Sequence, residues 1–184
     1  MRYYSTNGRA PLADLRKAVV NGLAEDRGLY MPERILRLPD AFFRSMGERS
    51  FVDIAYEVAS AFFGEDVPAD VLRRIVEETL SFDCPLVAVE PGIYALELFH
   101  GPTLAFKDVG ARFMARLLRQ FTAGEGGVHV LVATSGDTGS AVANGFLGVE
   151  GVHVSVLYPK GKVSPIQECQ FTTLGRNITA LEID

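Results

Sequence analysis

Apolar residues recur at intervals of three and four in residues 12–20, 51–63 and 71–80, and this helical period predicts three amphipathic helices in the first half of the chain. Ser50 and Pro68-Ala69-Asp70 are placed to start the second and third, and Gly64 and Asp83-Cys84-Pro85 to stop them. Between the helices, Gly28-Leu29-Tyr30-Met31-Pro32 and Leu38-Pro39-Asp40 read as ordered connections. Past Glu90 the period changes. Residues 93–99, 128–133, 152–158 and 178–183 are short apolar runs of the kind that form buried strands, and residues 108–121, 138–146 and 165–174 between them read as helices. Strands alternating with helices predict a parallel sheet with crossover helices. The expected fold class is α/β, with a mainly helical layer over residues 1–90 and, over 91–184, the first part of a mostly parallel sheet. The last strand has no following helix to cover the sheet, so the chain reads as a fragment of a longer protein. A truncated sheet leaves an unpaired edge and an apolar face through which the fragment is expected to self-associate.

Composition narrows the class of function. With 184 residues, 48% of them hydrophobic, the chain is long enough to bury a sizeable core. Its formal net charge of -5 and scattered arginines provide no basic field, which argues against a nucleic-acid partner. No run approaches the roughly 18 apolar residues that span a bilayer, and Met1-Arg2-Tyr3-Tyr4-Ser5 lacks the apolar core of a signal peptide. The expectation is a cytoplasmic protein with no membrane partner. Cys84 and Cys169 are far apart, and His100, His129 and His153 have no metal-ligand spacing, so neither a disulfide framework nor a metal site is expected.

Two segments carry candidate chemistry. In Phe99-His100-Gly101-Pro102-Thr103-Leu104-Ala105-Phe106-Lys107-Asp108, a lysine follows a turn and opens a helix. Desolvation and the positive end of the helix dipole both disfavour an ammonium there, so Lys107 is placed to present a neutral amine that attacks a carbonyl. The competing reading is a surface lysine whose stem covers an apolar patch. The second segment is Ala133-Thr134-Ser135-Gly136-Asp137-Thr138-Gly139-Ser140-Ala141, where a strand hands over to a helix. Ligands of open α/β sheets bind at such carboxyl ends, and a helix N-terminus offers N–H groups to a carboxylate or phosphate. No lysine follows Gly139, which excludes a Walker A loop, and a single Asp-Thr-Gly-Ser on an α/β unit does not make an aspartic protease. A glycine turn with a well-capped helix remains the plain alternative.

Together, Pro102-Thr103-Leu104-Ala105-Phe106-Lys107-Asp108 and Ala133 to Ala141 resemble the threonine synthases, pyridoxal-phosphate enzymes of the tryptophan synthase β-subunit-like fold. Tyr4-Ser5-Thr6-Asn7 and Gly22-Leu23-Ala24-Glu25-Asp26-Arg27-Gly28-Leu29-Tyr30-Met31-Pro32 resemble the amino-terminal signature of that family, which cysteine synthases and threonine dehydratases lack. The resemblance implies that Lys107 binds pyridoxal 5'-phosphate as a Schiff base and then serves as general base and acid. It implies that Phe106 lies near the cofactor ring and Asp137 near its phenolic oxygen, where relatives often have Asn. Ser135, Gly136, Thr138 and Gly139 would then meet the substrate carboxylate, Asp108 would cap the helix, and Thr103 and His100 would support from behind. The implied reaction converts O-phospho-L-homoserine and water to L-threonine and phosphate. The family's glycine-rich grip on the cofactor phosphate is not matched by Gly161-Lys162-Val163-Ser164-Pro165 or by Leu174-Gly175-Arg176, so the 184-residue chain alone is expected to bind the cofactor weakly and to be inactive. The rival readings are another enzyme of this fold, dehydratase-like or cysteine synthase-like, and a non-catalytic anion-binding module.

Overall fold

Side-chain caps by Asp14, Ser50 and Ser164 start three of the helices in the computed structural model, which describes residues 1–124 and 126–184. Two compact units divide between Glu78 and Thr79, ahead of the change of period near Glu90. In the first unit, β1 (Tyr3–Ser5) precedes α1 (Leu15–Asn21), and β2 (Tyr30–Pro32) precedes α2 (Asp40–Ser45), α3 (Phe51–Phe63) and α4 (Ala69–Thr79), the last of which runs to the boundary. Asp14 accepts from Lys17 N at 2.7 Å and starts α1. Helix α1 begins later than the period suggests because Ala13 is held in a β-bridge with Tyr3. Ser50 caps α3 through Asp53 N, and Gly64 N closes on Ser60 O. Two stretches read as connections are regular structure. Tyr30–Pro32 pairs antiparallel with β1, and α2 starts at Asp40 behind Pro39.

The amino-terminal signature is gathered around one carboxylate. Asp26 accepts from Ser5 Oγ at 2.5 Å, from Arg9 N and Ala10 N at 2.9 Å each, and from Gly28 N at 3.0 Å. Asn7 Nδ2 donates to Asp26 O, and Leu29 N donates to Thr6 Oγ1. A Cβ on Gly28 would lie 2.0 Å from Ser5 Oγ, so the packing leaves no room for a side chain there.

In the second unit, β3 (Leu86–Glu90) and β4 (Ile93–Leu96) form an antiparallel hairpin. The strand expected over residues 93–99 therefore stops at Leu96 and does not join the parallel sheet. The reason is local: Pro91 fixes φ and Gly92 takes φ +82°, which turns the chain straight back on itself. Then come α5 (Lys107–Thr122), β5 (Val128–Ala133), α6 (Asp137–Phe146), β6 (Val152–Pro159), α7 (Pro165–Thr172) and β7 (Ile178–Ile183). Strands β5, β6 and β7 form a parallel sheet in that order, with Val128 opposite Val152 and Val154 opposite Ile178. Val154 and Val156 of the central strand are buried with Phe146 and Phe171, the core of this unit. His129 bonds Ser155 Oγ at 2.8 Å and His153 bonds Thr179 Oγ1 at 3.1 Å, so both rings are tied into the sheet. Cys84 and Cys169 are free thiols. No helix among the described residues is long and apolar enough to cross a membrane.

The Ser5 hydroxyl, followed by the N–H groups of Gly28, Arg9 and Ala10, holds the Asp26 carboxyl down at about 2, below its ordinary 3.8. A carboxyl depressed on folding contributes stability above the unfolded value and loses it as pH falls through the folded one. Urea unfolding should show wild type more stable than Asp26→Asn near neutral pH, with the gap closing between about pH 4 and pH 2. A gap that does not change with pH would refute this role for Asp26.

Candidate functional site

Lys107 is the first residue of α5, and the turn before it is tightly bonded. Leu104 N donates to Gly101 O, and Asp108 N donates to Ala105 O, both at 3.1 Å. Leu104 sits at φ +58°, in the left-handed region that non-glycine residues seldom occupy. The expectation that Asp108 caps α5 is corrected: the N-cap position is Phe106, with no side-chain cap. Asp108 is instead buried, accepting Thr103 N at 2.9 Å on one carboxylate oxygen and Thr103 Oγ1 at 2.6 Å on the other. Lys107 is half-buried, with Nζ 4.4 Å from the centroid of the exposed Phe106 ring. An aromatic face, not a closed apolar pocket, is what the amine meets.

The loop between β5 and α6 is organised by a residue that sequence reasoning passed over. Thr134 Oγ1 accepts Gly136 N at 3.1 Å and Gly139 N at 2.9 Å, and donates to Gly136 O at 3.0 Å. A Cβ on Gly139 would fall 2.1 Å from Thr134 Cγ2, so the threonine can lie this close only to glycine. Gly139 N and Ser140 N are engaged within the loop, so an anion at this helix start would be met by the N–H groups of Asp137 and Thr138. Ser135, Asp137 and Thr138 are exposed, and Gly139 is buried beneath them.

Helix α7 reaches both segments. Gln167 Nε2 donates to Asp137 Oδ1 at 2.6 Å while its Oε1 accepts from Ser164 Oγ at 3.0 Å, so the amide is held from both sides. Gln170 Nε2, one turn further along, donates to Thr103 O at 3.3 Å in the turn before Lys107. Neither glutamine was anticipated. The available signal is slight, a pair three residues apart on a helix that Ser164 and Pro165 open.

Other candidates are drawn elsewhere. His100 pairs with Glu97 at 2.7 Å and stacks on Phe99. Arg112 is tied to Thr79 O and Ser81 Oγ. Lys160 and Lys162 follow β6, at the same carboxyl edge of the sheet as the loop after β5. The arrangement thus offers a primary amine at one helix start and anion-binding N–H groups at another, tied to the same neighbouring helix.

Residues 2–80 match the family model described as threonine synthase N terminus. Over the whole chain the sequence is 42% identical to the threonine synthase of Escherichia coli K12 and 44% identical to that of Haemophilus influenzae, covering 43% of each. The fold superposes on the crystal structure of threonine synthase from Escherichia coli with a TM-score of 0.91 at 42% identity, covering 100% of this chain and 43% of that one. On PLP-bound threonine synthase from Brucella melitensis the TM-score is 0.90 at 40% identity, covering 99% and 41%. The chain spans less than half the length of the curated relatives it matches.

The contact of Gly139 with Thr134 sets a stability test. Gly139→Ala should cost about 1–3 kcal/mol in urea unfolding, the usual range for overpacking. Adding Thr134→Ser, which removes the methyl at 2.1 Å, should return part of that loss. Equal stability of Gly139→Ala and wild type would show that the loop has room to spare.

Proposed function

The chain belongs to the threonine synthase family, and we propose that the protein it forms part of converts O-phospho-L-homoserine and water to L-threonine and inorganic phosphate, with Lys107 holding pyridoxal 5'-phosphate. What supports this reading most is the shared tie to α7, through which the Lys107 turn and the loop after β5 are anchored to residues one helical turn apart. The groups present suit the cofactor. Lys107 supplies a primary amine, Phe106 an aromatic face beside it, and the start of α6 the N–H groups of Asp137 and Thr138, on a loop whose close turn depends on Gly139 lying against Thr134.

Pyridoxal phosphate, when bound, supplies an electron sink that stabilises carbanionic character on the substrate carbons. The protein's own part is orientation and proton transfer. Lys107 Nζ would take a proton from one substrate carbon and return one to another, as general base and then acid. The N–H groups of Asp137 and Thr138 orient the substrate carboxylate with the Ser135 hydroxyl beside them, and Gly136 and Gly139, whose N–H groups bond Thr134, shape the loop that presents them. Asp137, with one oxygen on Gln167, keeps the other for the cofactor's phenolic oxygen. Phe106 shields the amine from water on one side. A substrate that carries both a carboxylate and a phosphate suits a site made of helix starts and backbone donors.

Full-length protein should release phosphate from O-phospho-L-homoserine with formation of threonine, and should carry pyridoxal phosphate that borohydride fixes on Lys107. Lys107→Ala should lose the fixed cofactor and lower turnover by about 10²-fold or more, on the scale of removing a catalytic proton carrier. Retention of either property in Lys107→Ala would overturn the assignment.

A further inference from the structure

Asp108 is adjacent to the proposed attachment lysine in sequence, yet its side chain serves the chain upstream. It is 1% exposed, with both carboxylate oxygens on Thr103. An acidic residue that merely supported the helix would turn to the free N–H groups of the first turn. Here the carboxylate closes the turn from Thr103 to Asp108. Gly101 makes space for it, since a Cβ at that position would lie 2.5 Å from Asp108 Oδ2. Inside the closed turn Leu104 holds φ +58°, a conformation that persists only where neighbouring bonds enforce it. Gln170 secures the same Thr103 from the other side, through its carbonyl.

We infer that Asp108 is a positioning residue for Lys107, its buried carboxylate gripping Thr103 so that the turn stays closed and the lysine amine leaves the start of α5 in one direction. The inference rests on the proposed role of Lys107 and adds a requirement to it. A turn released at Thr103 frees Leu104 from its strained conformation, and the backbone that carries Lys107 relaxes with it. The amine would then be misplaced although no group that touches the substrate had changed.

The test uses full-length protein without cofactor and reads the lysine directly. Competitive acetic anhydride labelling across pH gives the reactivity profile of the Lys107 amine, and urea unfolding reports the fold in parallel. Asp108→Ala leaves the Thr103 N–H and hydroxyl unpaired and should change Lys107 labelling about tenfold, the scale of losing one buried, charge-assisted bond. Thr103→Val removes only the hydroxyl bond and should give a smaller change of the same kind. Asp108→Asn should restore most of the profile, because its oxygen can accept Thr103 N while its amide donates to the hydroxyl. If Asp108→Ala and Thr103→Val stay folded and label as wild type does, Asp108 is structural only and the inference falls. If Asp108→Ala does not fold, Thr103→Val decides. Failure of wild type to fix pyridoxal phosphate on Lys107 would sink the functional proposal instead, while the labelling profiles still judge Asp108.

Discussion

Helix α5 meets α6 where no side chain larger than hydrogen fits comfortably. A Cβ on Gly145 would lie 3.0 Å from the Ala111 carbonyl carbon and 3.2 Å from its Cβ, so the two backbones approach at a glycine. Ala115 and Ala141, one turn along from Ala111 and one turn before Gly145 on the same helix faces, are buried, which keeps both surfaces shallow. This close crossing matters because each helix starts with candidate chemistry, Lys107 on α5 and the Gly136-Asp137 step on α6. Close packing with small residues makes the helix pair stiff, and a stiff pair holds two helix starts in a constant relation. The parallel sheet beneath supplies the rest, since β5 runs directly into the loop that opens α6.

Around that pair, the polar groups are arranged to hold backbone. Thr134 ties the loop to itself, Asp108 ties the lysine turn, and Gln167 and Gln170 of α7 reach one segment each. The first unit uses the same device at Asp26, whose carboxylate collects the Ser5 hydroxyl and the Arg9 and Ala10 N–H groups from a segment distant in sequence and the Gly28 N–H from its own turn. A side-chain acceptor offered to backbone donors stabilises an irregular segment that no helix or strand ladder could satisfy. The Tyr4 to Asn7 and Gly22 to Pro32 signature is thereby given a physical meaning: Ser5, Asn7, Asp26 and Gly28 form one hydrogen-bonded knot.

Helices α3, α6 and α7 and strands β5, β6 and β7 were legible in the sequence because their signals are local. A period of three and four, a Ser before the first turn, a Pro just inside it, and β-branched runs bounded by glycine all act within a few residues. Lys107 and the Ser135 to Gly139 loop could be marked as candidates for the same reason, since a lysine or a glycine turn at a strand or helix junction is visible in the string. The hairpin partner of residues 93–96 was less visible, although Pro91-Gly92 is a turn signal, because apolar alternation alone does not say whether a strand pairs with its neighbour or crosses over.

What the sequence by itself determined is the order of helices and strands from α5 to β7, the α/β class and the identity of the residues able to carry chemistry. The tertiary structure alone decided what those residues do to one another. It turned Asp108 from the helix start to Thr103, placed Arg112 on Thr79 and Ser81, and brought Gln167 and Gln170 to segments some thirty and more than sixty residues away. Local propensity acts through neighbouring backbone atoms and so can be read along the chain. The partner of a buried carboxylate or amide depends on which distant donor the packed core brings within about 3 Å, and that distance exists only once the chain has folded.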